Sequence, residues 1–222
     1  MLHGEQPDWF RAVLANLGCP IEGVLPFAGE TLPEAGSFTS TIIARSWSMI
    51  MDREEWSEQT AGWIRQVFSA GARLFGVCYG HQLMAHALGG RVDYHPKGRE
   101  IGTETIRLLA GAQDDRLLMA MPAHFPAHLT HMQTVIDLPT GAQVLAGFDH
   151  DPHQIVRYSR NAISTQFHPE ITPAIIRLRA DKLRGEGRDP DALLAAVEEA
   201  PEMVDLLRRF IVSGLTERSQ PH

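Results

Sequence analysis

The run Gly76-Val77-Cys78-Tyr79-Gly80-His81-Gln82 constrains this chain more than any other. It follows the apolar pair Leu74-Phe75 and leads into Leu83-Met84-Ala85-His86-Ala87-Leu88, closed by Gly89-Gly90. The segment reads as strand, sharp turn, helix, with a cysteine at the apex. Gly76 and Gly80 remove Cβ atoms that would collide in so tight a turn. This is the mechanical logic of a nucleophile elbow, with sulfur in place of a serine oxygen. Cys78 would precede the first helical turn, where unpaired N–H groups and the helix dipole favour negative charge. Such a position lowers a thiol pKa. The backbone N–H of Tyr79 points to the same side and is a candidate oxyanion donor. The competing reading is a buried structural cysteine, which the flanking glycines and the strand-to-helix switch argue against.

A thiol nucleophile needs a base, and the base needs an orienting group. The best candidate lies in Ala162-Ile163-Ser164-Thr165-Gln166-Phe167-His168-Pro169-Glu170. Ile163 to Phe167 reads as a strand, so His168 falls at its C-terminal end, where α/β sheets place functional groups. Pro169 stops the strand. Glu170 is close enough to turn back and fix the imidazole tautomer. Ten other histidines compete, and strand-end position with a partner distinguishes this one.

Together, "GVCYGHQ" and "QFHPE" resemble the class I (triad) glutamine amidotransferases, whose elbow reads G-x-C-x-G-x-Q and whose base segment reads F-H-P-E. The resemblance runs from about residue 37 to about residue 176. "LFGVCYGHQLMAHALGGRV" is similar to standalone members related to the amidotransferase domain of GMP synthase. "REIGTETI" resembles the family's Gly-Thr hairpin, and "HLTHMQTVIDLPTGAQVLA" its H-x-D-x-V…LP-x-G-x-x-x-LA block. The resemblance implies that Cys78 attacks the γ-carboxamide of glutamine or another γ-glutamyl compound. His168 then protonates the leaving group and activates water, and Glu170 orients His168. It also implies substrate contacts from Gly80, Gln82 and His131; for His131 a plain surface-loop histidine is the alternative. No cofactor is called for.

Two departures from the family pattern stand out. Where the first oxyanion loop carries glycine, this chain reads Ile43-Ala44-Arg45-Ser46-Trp47-Ser48-Met49. Arg45 still offers a backbone N–H, but glycine there suggests a need for positive φ or close approach to substrate. The alternative is an adjusted loop with the Arg45 side chain in solvent. Family members also open with a central apolar strand, whereas this chain begins "MLHGEQPDWF" and enters a helix at once. An upstream start, a different sheet closure and a strand from a partner chain all remain open.

The chain has 222 residues, 44% of them hydrophobic, and a formal net charge of −7. That length suits one α/β domain with a full core, and the charge argues against non-specific nucleic-acid binding. Two cysteines make a disulfide framework improbable and a reducing compartment the expectation, hence a cytoplasmic location. No signal-peptide pattern and no apolar run of membrane-spanning length is visible.

Along the chain, helices are expected over Asp8–Asn16 and Arg53–Ser69, and strands over Ile21–Phe27 and Thr39–Ala44. The expected fold is α/β: a mostly parallel sheet with helices on both faces, flavodoxin-like as in the resembled family. After Gly90, short strands at Arg91–Tyr94, Gly102–Leu109, Val144–Phe148, Ile155–Tyr158 and Ile163–Phe167 suggest a small antiparallel extension. A helix over Thr172–Arg184, a "GEGRDPD" turn and one or two helices over Asp191–Leu215 follow, broken near Pro201. The expected organisation is an amidotransferase-like domain over 1–185 and a helical extension over 186–222 packed on it. A homodimer or partner surface is the other use for the extension's apolar stripe. His124, His128 and His131 have helix-like spacing, but Pro122 and Pro126 argue against a helix, so no metal site is expected.

Three functions stay in play. One is a glutamine amidotransferase whose ammonia acceptor sits on a separate protein, since no P-loop occurs in this chain. Another is a γ-glutamyl peptide or amine hydrolase with the same triad. The third is a catalytically impaired binding or regulatory relative, for which Arg45 and the missing first strand are the arguments.

Overall fold

The computed structural model describes residues 6–176 and 190–218. Helix α1 (Gln6–Leu14) runs into a 3₁₀ turn that ends at Gly18, whose φ of 63° lies in the left-handed region. A residue without a Cβ takes that conformation at no steric cost. Strand β1 (Thr41–Ile43), helix α2 (Glu55–Ser69), strand β2 (Leu74–Val77) and helix α3 (Tyr79–Ala87) follow. Then come β3 (Arg91–Tyr94), β4 (Glu100–Leu108), β5 (His124–His131), β6 (Gln133–Asp137), β7 (Gln143–Gly147), β8 (Ile155–Ser159) and β9 (Ala162–Thr165). Helices α4 (Pro190–Ala195) and α5 (Pro201–Arg218) close the described chain.

Seven strands form one sheet in the order β1-β2-β9-β8-β7-β4-β5, and β3 pairs with β6 in a separate antiparallel ribbon. β1, β2 and β9 run parallel, and the other pairings in the large sheet are antiparallel. The sheet is therefore mixed and not mostly parallel as expected, because the antiparallel extension is larger than its sequence signal: four pairings are antiparallel and two parallel. β5 was hidden in the sequence by Pro126 and three histidines. As the outermost strand it tolerates proline, because an edge position need not supply every ladder N–H.

The period-2 alternation of β2 divides the core. Phe75 and Val77 face one side, with Ile163, α1 (Phe10, Val13, Leu14) and α5 (Met203, Leu206, Leu207, Phe210). Leu74 faces the other, with α2 (Ile64, Val67) and α3 (Leu83, Met84). Helices therefore cover both faces, the flavodoxin-like α/β arrangement. The apolar stripe of α5 is spent inside the chain: Phe210 packs edge-on against Phe75 with ring centroids 5.2 Å apart. Arg73 stacks over Phe210 and donates to its carbonyl oxygen at 2.6 Å.

The expected strand at Ile21–Phe27 does not form; that segment is irregular and ends in a 3₁₀ turn at Pro26–Ala28. β1 therefore stays the edge of the large sheet, with no strand from this segment added to it. Most of the expected helix over Thr172–Arg184, and the boundary at residue 185, lie outside the described residues.

Candidate active site

The site is built where β2 turns into α3. Cys78 has φ 53° and ψ −101°, one of two non-glycine residues with positive φ among the described residues. Such a conformation costs about 1–3 kcal/mol and must be held by its surroundings. Cys78 N–H donates to the Thr165 carbonyl at 2.9 Å, and Gln82 N–H donates to the Cys78 carbonyl at 3.1 Å. The two glycines have the expected reason. A Cβ on Gly76 would meet Gly80 O and Met84 Sδ at 2.7 Å, and one on Gly80 would meet Ile43 O at 1.9 Å. The thiol points toward the Thr130 carbonyl oxygen, 3.8 Å away. Cys78 is only 7% exposed, so the sulfur is more covered than a turn apex open to solvent would be.

His168 stands three residues past β9, its N–H bonded to the His128 carbonyl at 3.0 Å. Its Nδ1–H donates to Glu170 Oε1 at 2.8 Å, and both side chains are fully buried. Nε2 makes no other hydrogen bond with good geometry. Burial opposes a charge on this imidazole, but the Glu170 carboxylate and the Cys78 sulfur outweigh it and lift the pKa to about 9. Cys78, His168 and Glu170 are therefore brought together from two parallel neighbours, β2 and β9.

The other expected residues divide. The Tyr79 hydroxyl is tied to Ser57, and its ring stacks on Trp56, which leaves the backbone N–H as its offering at the elbow. Gln82 faces away from open space: its Nε2 donates to the Gln133 carbonyl at 2.6 Å and to Gln166 Oε1 at 3.1 Å. Gln133 in turn accepts from Ile50 N–H at 2.8 Å, so these glutamines brace the elbow helix against its neighbours. His131 is buried beside Glu100 and Asp151, one residue past the carbonyl that faces the thiol. His124, His128 and His131 lie on strand β5, where period-2 alternation puts His131 on the face opposite the other two. His128 instead contacts Thr103 Oγ1 at 3.0 Å, and burial with the nearby His168 lowers its pKa to about 4.

Arg45 differs from both sequence readings. It is not among the positive-φ residues, so its backbone takes no conformation that demands glycine. Its side chain does not reach into solvent either: it is 7% exposed, with the guanidinium 4.2 Å from the Trp47 ring centroid and 5.9 Å from that of Trp9. Thr130, His128 and Gln133 were missed by sequence reasoning. They act through backbone carbonyls or through a strand that sequence periodicity concealed. A cavity of about 470 Å³ opens nearby, lined by residues including Glu100, His124, Phe148 and His150, and touches neither Cys78 nor His168.

The family model described as glutamine amidotransferase class-I matches residues 50–177, more than half of the chain. The chain belongs to this family.

Among the relatives of this chain is the GMP synthase [glutamine-hydrolyzing] of Syntrophomonas wolfei, 29% identical over 188 residues. That alignment takes in 79% of this chain and 36% of the relative. The GMP synthase of Aquifex aeolicus is 30% identical over 112 residues, 50% of this chain and 21% of the relative. The chain thus spans roughly a fifth to a third of the length of these curated relatives. Among solved structures, a glutamine amidotransferase from Thermotoga maritima superposes with a TM-score of 0.79 at 19% identity, covering 93% of this chain and 91% of its own. One from Methylobacillus flagellatus gives 0.79 at 21% identity, with 95% and 90% covered. At such identities the likeness concerns the fold, which is that of a class I amidotransferase domain. Among the described residues, no helix is long and apolar enough to cross a membrane.

Proposed function

We propose that the chain hydrolyses the γ-carboxamide of glutamine through a thioester on Cys78 and that the ammonia passes to an acceptor on a separate protein. The observation that carries this reading is the 2.8 Å bond from His168 Nδ1 to Glu170 Oε1, with the imidazole charged by Glu170 and the elbow sulfur. The sulfur of Cys78 attacks the carboxamide carbon, and the carbon–nitrogen bond breaks as His168 gives its proton to the leaving ammonia. Water, deprotonated by His168, then attacks the thioester and releases glutamate and the Cys78 thiol. Glu170 holds the imidazole in the tautomer that both steps need and stabilises its charged form. The backbone N–H groups of Tyr79 and Arg45 are the candidate donors to the oxyanion, while Gln82 and His131 support the pocket from behind.

The GMP synthases among the relatives are named glutamine-hydrolyzing, which favours glutamine over other γ-glutamyl compounds as substrate. The reading as an impaired relative had two supports, and the ordinary backbone conformation of Arg45 removes one of them. The test is a stoichiometric one. The purified chain, with glutamine, releases glutamate and ammonia in equal amounts, and prior alkylation of the thiol, slowed by glutamine, abolishes both. Turnover that survives complete modification of Cys78 would overturn the assignment.

A further inference from the structure

We propose that Glu100, His131 and Asp151 form a binding site for one divalent transition-metal ion, held through Glu100 Oε2, His131 Nε2 and Asp151 Oδ2. One imidazole and two carboxylates are a donor set for a zinc-class ion. The three residues are far apart in sequence and are assembled by the sheet. Glu100 opens β4 and His131 closes β5, and the two are direct cross-strand partners. Asp151 comes from the connection between β7 and β8. All three are buried, with one potential ligand atom from each lying within 4.8 Å of the others.

The two spacings around the imidazole nitrogen are those of a coordination shell. His131 Nε2 lies 3.2 Å from Glu100 Oε2 and 3.3 Å from Asp151 Oδ2. Metal–ligand bonds of about 2.0–2.2 Å at tetrahedral angles put neighbouring ligand atoms about 3.3–3.6 Å apart. Yet His131 Nε2 and Glu100 Oε2 have no partner in hydrogen-bond geometry, although both side chains are more than nine-tenths buried. Buried polar atoms are normally satisfied, and an imidazole nitrogen set beside two carboxylates without hydrogen-bond geometry to either accommodates a shared ligand.

Three further features fit. Asp151 is already oriented, with Oδ1 accepting from His153 N–H at 2.9 Å and Oδ2 from the Thr134 hydroxyl at 2.7 Å, as outer partners orient a metal-binding carboxylate. Glu100 and Asp151 set two carboxyl groups against one imidazole, so the donor set can carry more negative than positive charge. A divalent ion would neutralise both. Finally, Glu100 also lines the cavity of about 470 Å³, which supplies an entry path and room for a water in the fourth position. The bound ion would tie together the start of β4, the end of β5 and the β7–β8 connection. Through His131 it would stiffen the backbone at Thr130, whose carbonyl faces the thiol. None of this depends on the hydrolytic reading, because the ligands are separate from Cys78, His168 and Glu170.

The test uses the full chain with Cys78→Ser, which removes the thiol as a competing ligand, titrated with Co²⁺ and followed by its visible absorption and by calorimetry. One equivalent is expected to bind, and Glu100→Gln or Asp151→Asn in the same background is expected to weaken it by at least about 100-fold. Glu104→Gln, altering a cavity residue outside the shell, is expected to bind as before. X-ray absorption of the cobalt-loaded protein needs no ligand variant and is expected to read a shell of oxygens with a single imidazole. No saturable binding, unchanged affinity in both ligand variants, or a shell with two or more imidazoles would each overturn the proposal.

Discussion

Nδ1 of His168 and Oε1 of Glu170 lie 2.8 Å apart with both side chains fully buried, and the carboxylate, together with the Cys78 sulfur, favours the charged imidazole inside the protein. The pKa of His168 is raised to about 9 from an ordinary 6.5. The sign follows: folding is favoured by this group below pH 6.5, and that contribution is lost as pH rises through about 9. Urea melts of the wild type should therefore show stability falling between about pH 6.5 and 9, with that fall flattened in His168→Ala. Parallel profiles for the two proteins would mean that His168 is not charged in the native state. Glu170→Gln should bring the imidazole pKa, read by NMR, down by more than one unit.

Loss of Cys78 and loss of His168 should be about equally severe. Members of one catalytic unit are non-additive, so Cys78→Ala, His168→Ala and the double variant should each reduce glutamine hydrolysis by about 10⁴-fold or more. Glu170→Ala should cost less, because it orients the base and does not transfer the proton. Steady-state rates decide this, and a Glu170 defect larger than that of His168 would reverse the assigned roles.

The elbow stores strain that a glycine would release. Cys78 sits at φ 53° and ψ −101°, where a Cβ is unfavourable. Cys78→Gly should accordingly be more stable than Cys78→Ala by about 1 kcal/mol in chemical denaturation, with no activity in either. An Ala variant as stable as the Gly variant would show that position 78 holds no strain.

Two glycines should respond in opposite ways to alanine. At Gly80 the new Cβ would meet the Ile43 carbonyl oxygen at 1.9 Å, with backbone on both sides. Gly80→Ala should lose at least the ~1–3 kcal/mol of an overpacked core, and the elbow with it. Gly62, inside α2, would place its Cβ 3.6 Å from the Arg65 side-chain end, an ordinary contact. Gly62→Ala should gain roughly 0.5–1 kcal/mol from helix propensity. Denaturant midpoints of the two variants that move the same way would contradict this account.

Arg45→Gly should leave the rate of hydrolysis unchanged, because the backbone at Arg45 already avoids the left-handed region. Stability should drop instead, by about 0.5–2 kcal/mol for the lost stacking on Trp47 and by more for the flexibility that glycine adds. A gain in kcat would restore the view that this loop needs glycine.

The elbow and the base segment were legible in the sequence because each is local. Gly76, Cys78 and Gly80 announce a strand-to-helix turn through steric need alone, and Phe167-His168-Pro169-Glu170 places a base and its partner within three residues. The resemblance to the class I amidotransferases then supplied the fold, and the helices α1, α2 and α5 followed from 3.6-residue periodicity. Less legible was everything that depends on which strands become neighbours. Ile21–Phe27 has a strand's composition, yet composition cannot say whether the segment joins a sheet edge, and here it does not. β5 carries proline and histidines that read as loop, and only its position at the sheet edge makes them acceptable. Gln82 looks like a substrate ligand beside Cys78, but its amide is claimed by Gln133 and Gln166 from other strands and loops. Arg45 invited an argument about φ that only the backbone itself could answer. Glu100, His131 and Asp151 have no spacing that marks them as a set. They converge because cross-strand register and the β7–β8 connection bring them to one buried point. Local sterics and periodicity are written along the chain, whereas register, edge position and burial arise from long-range packing and are decided by the tertiary structure.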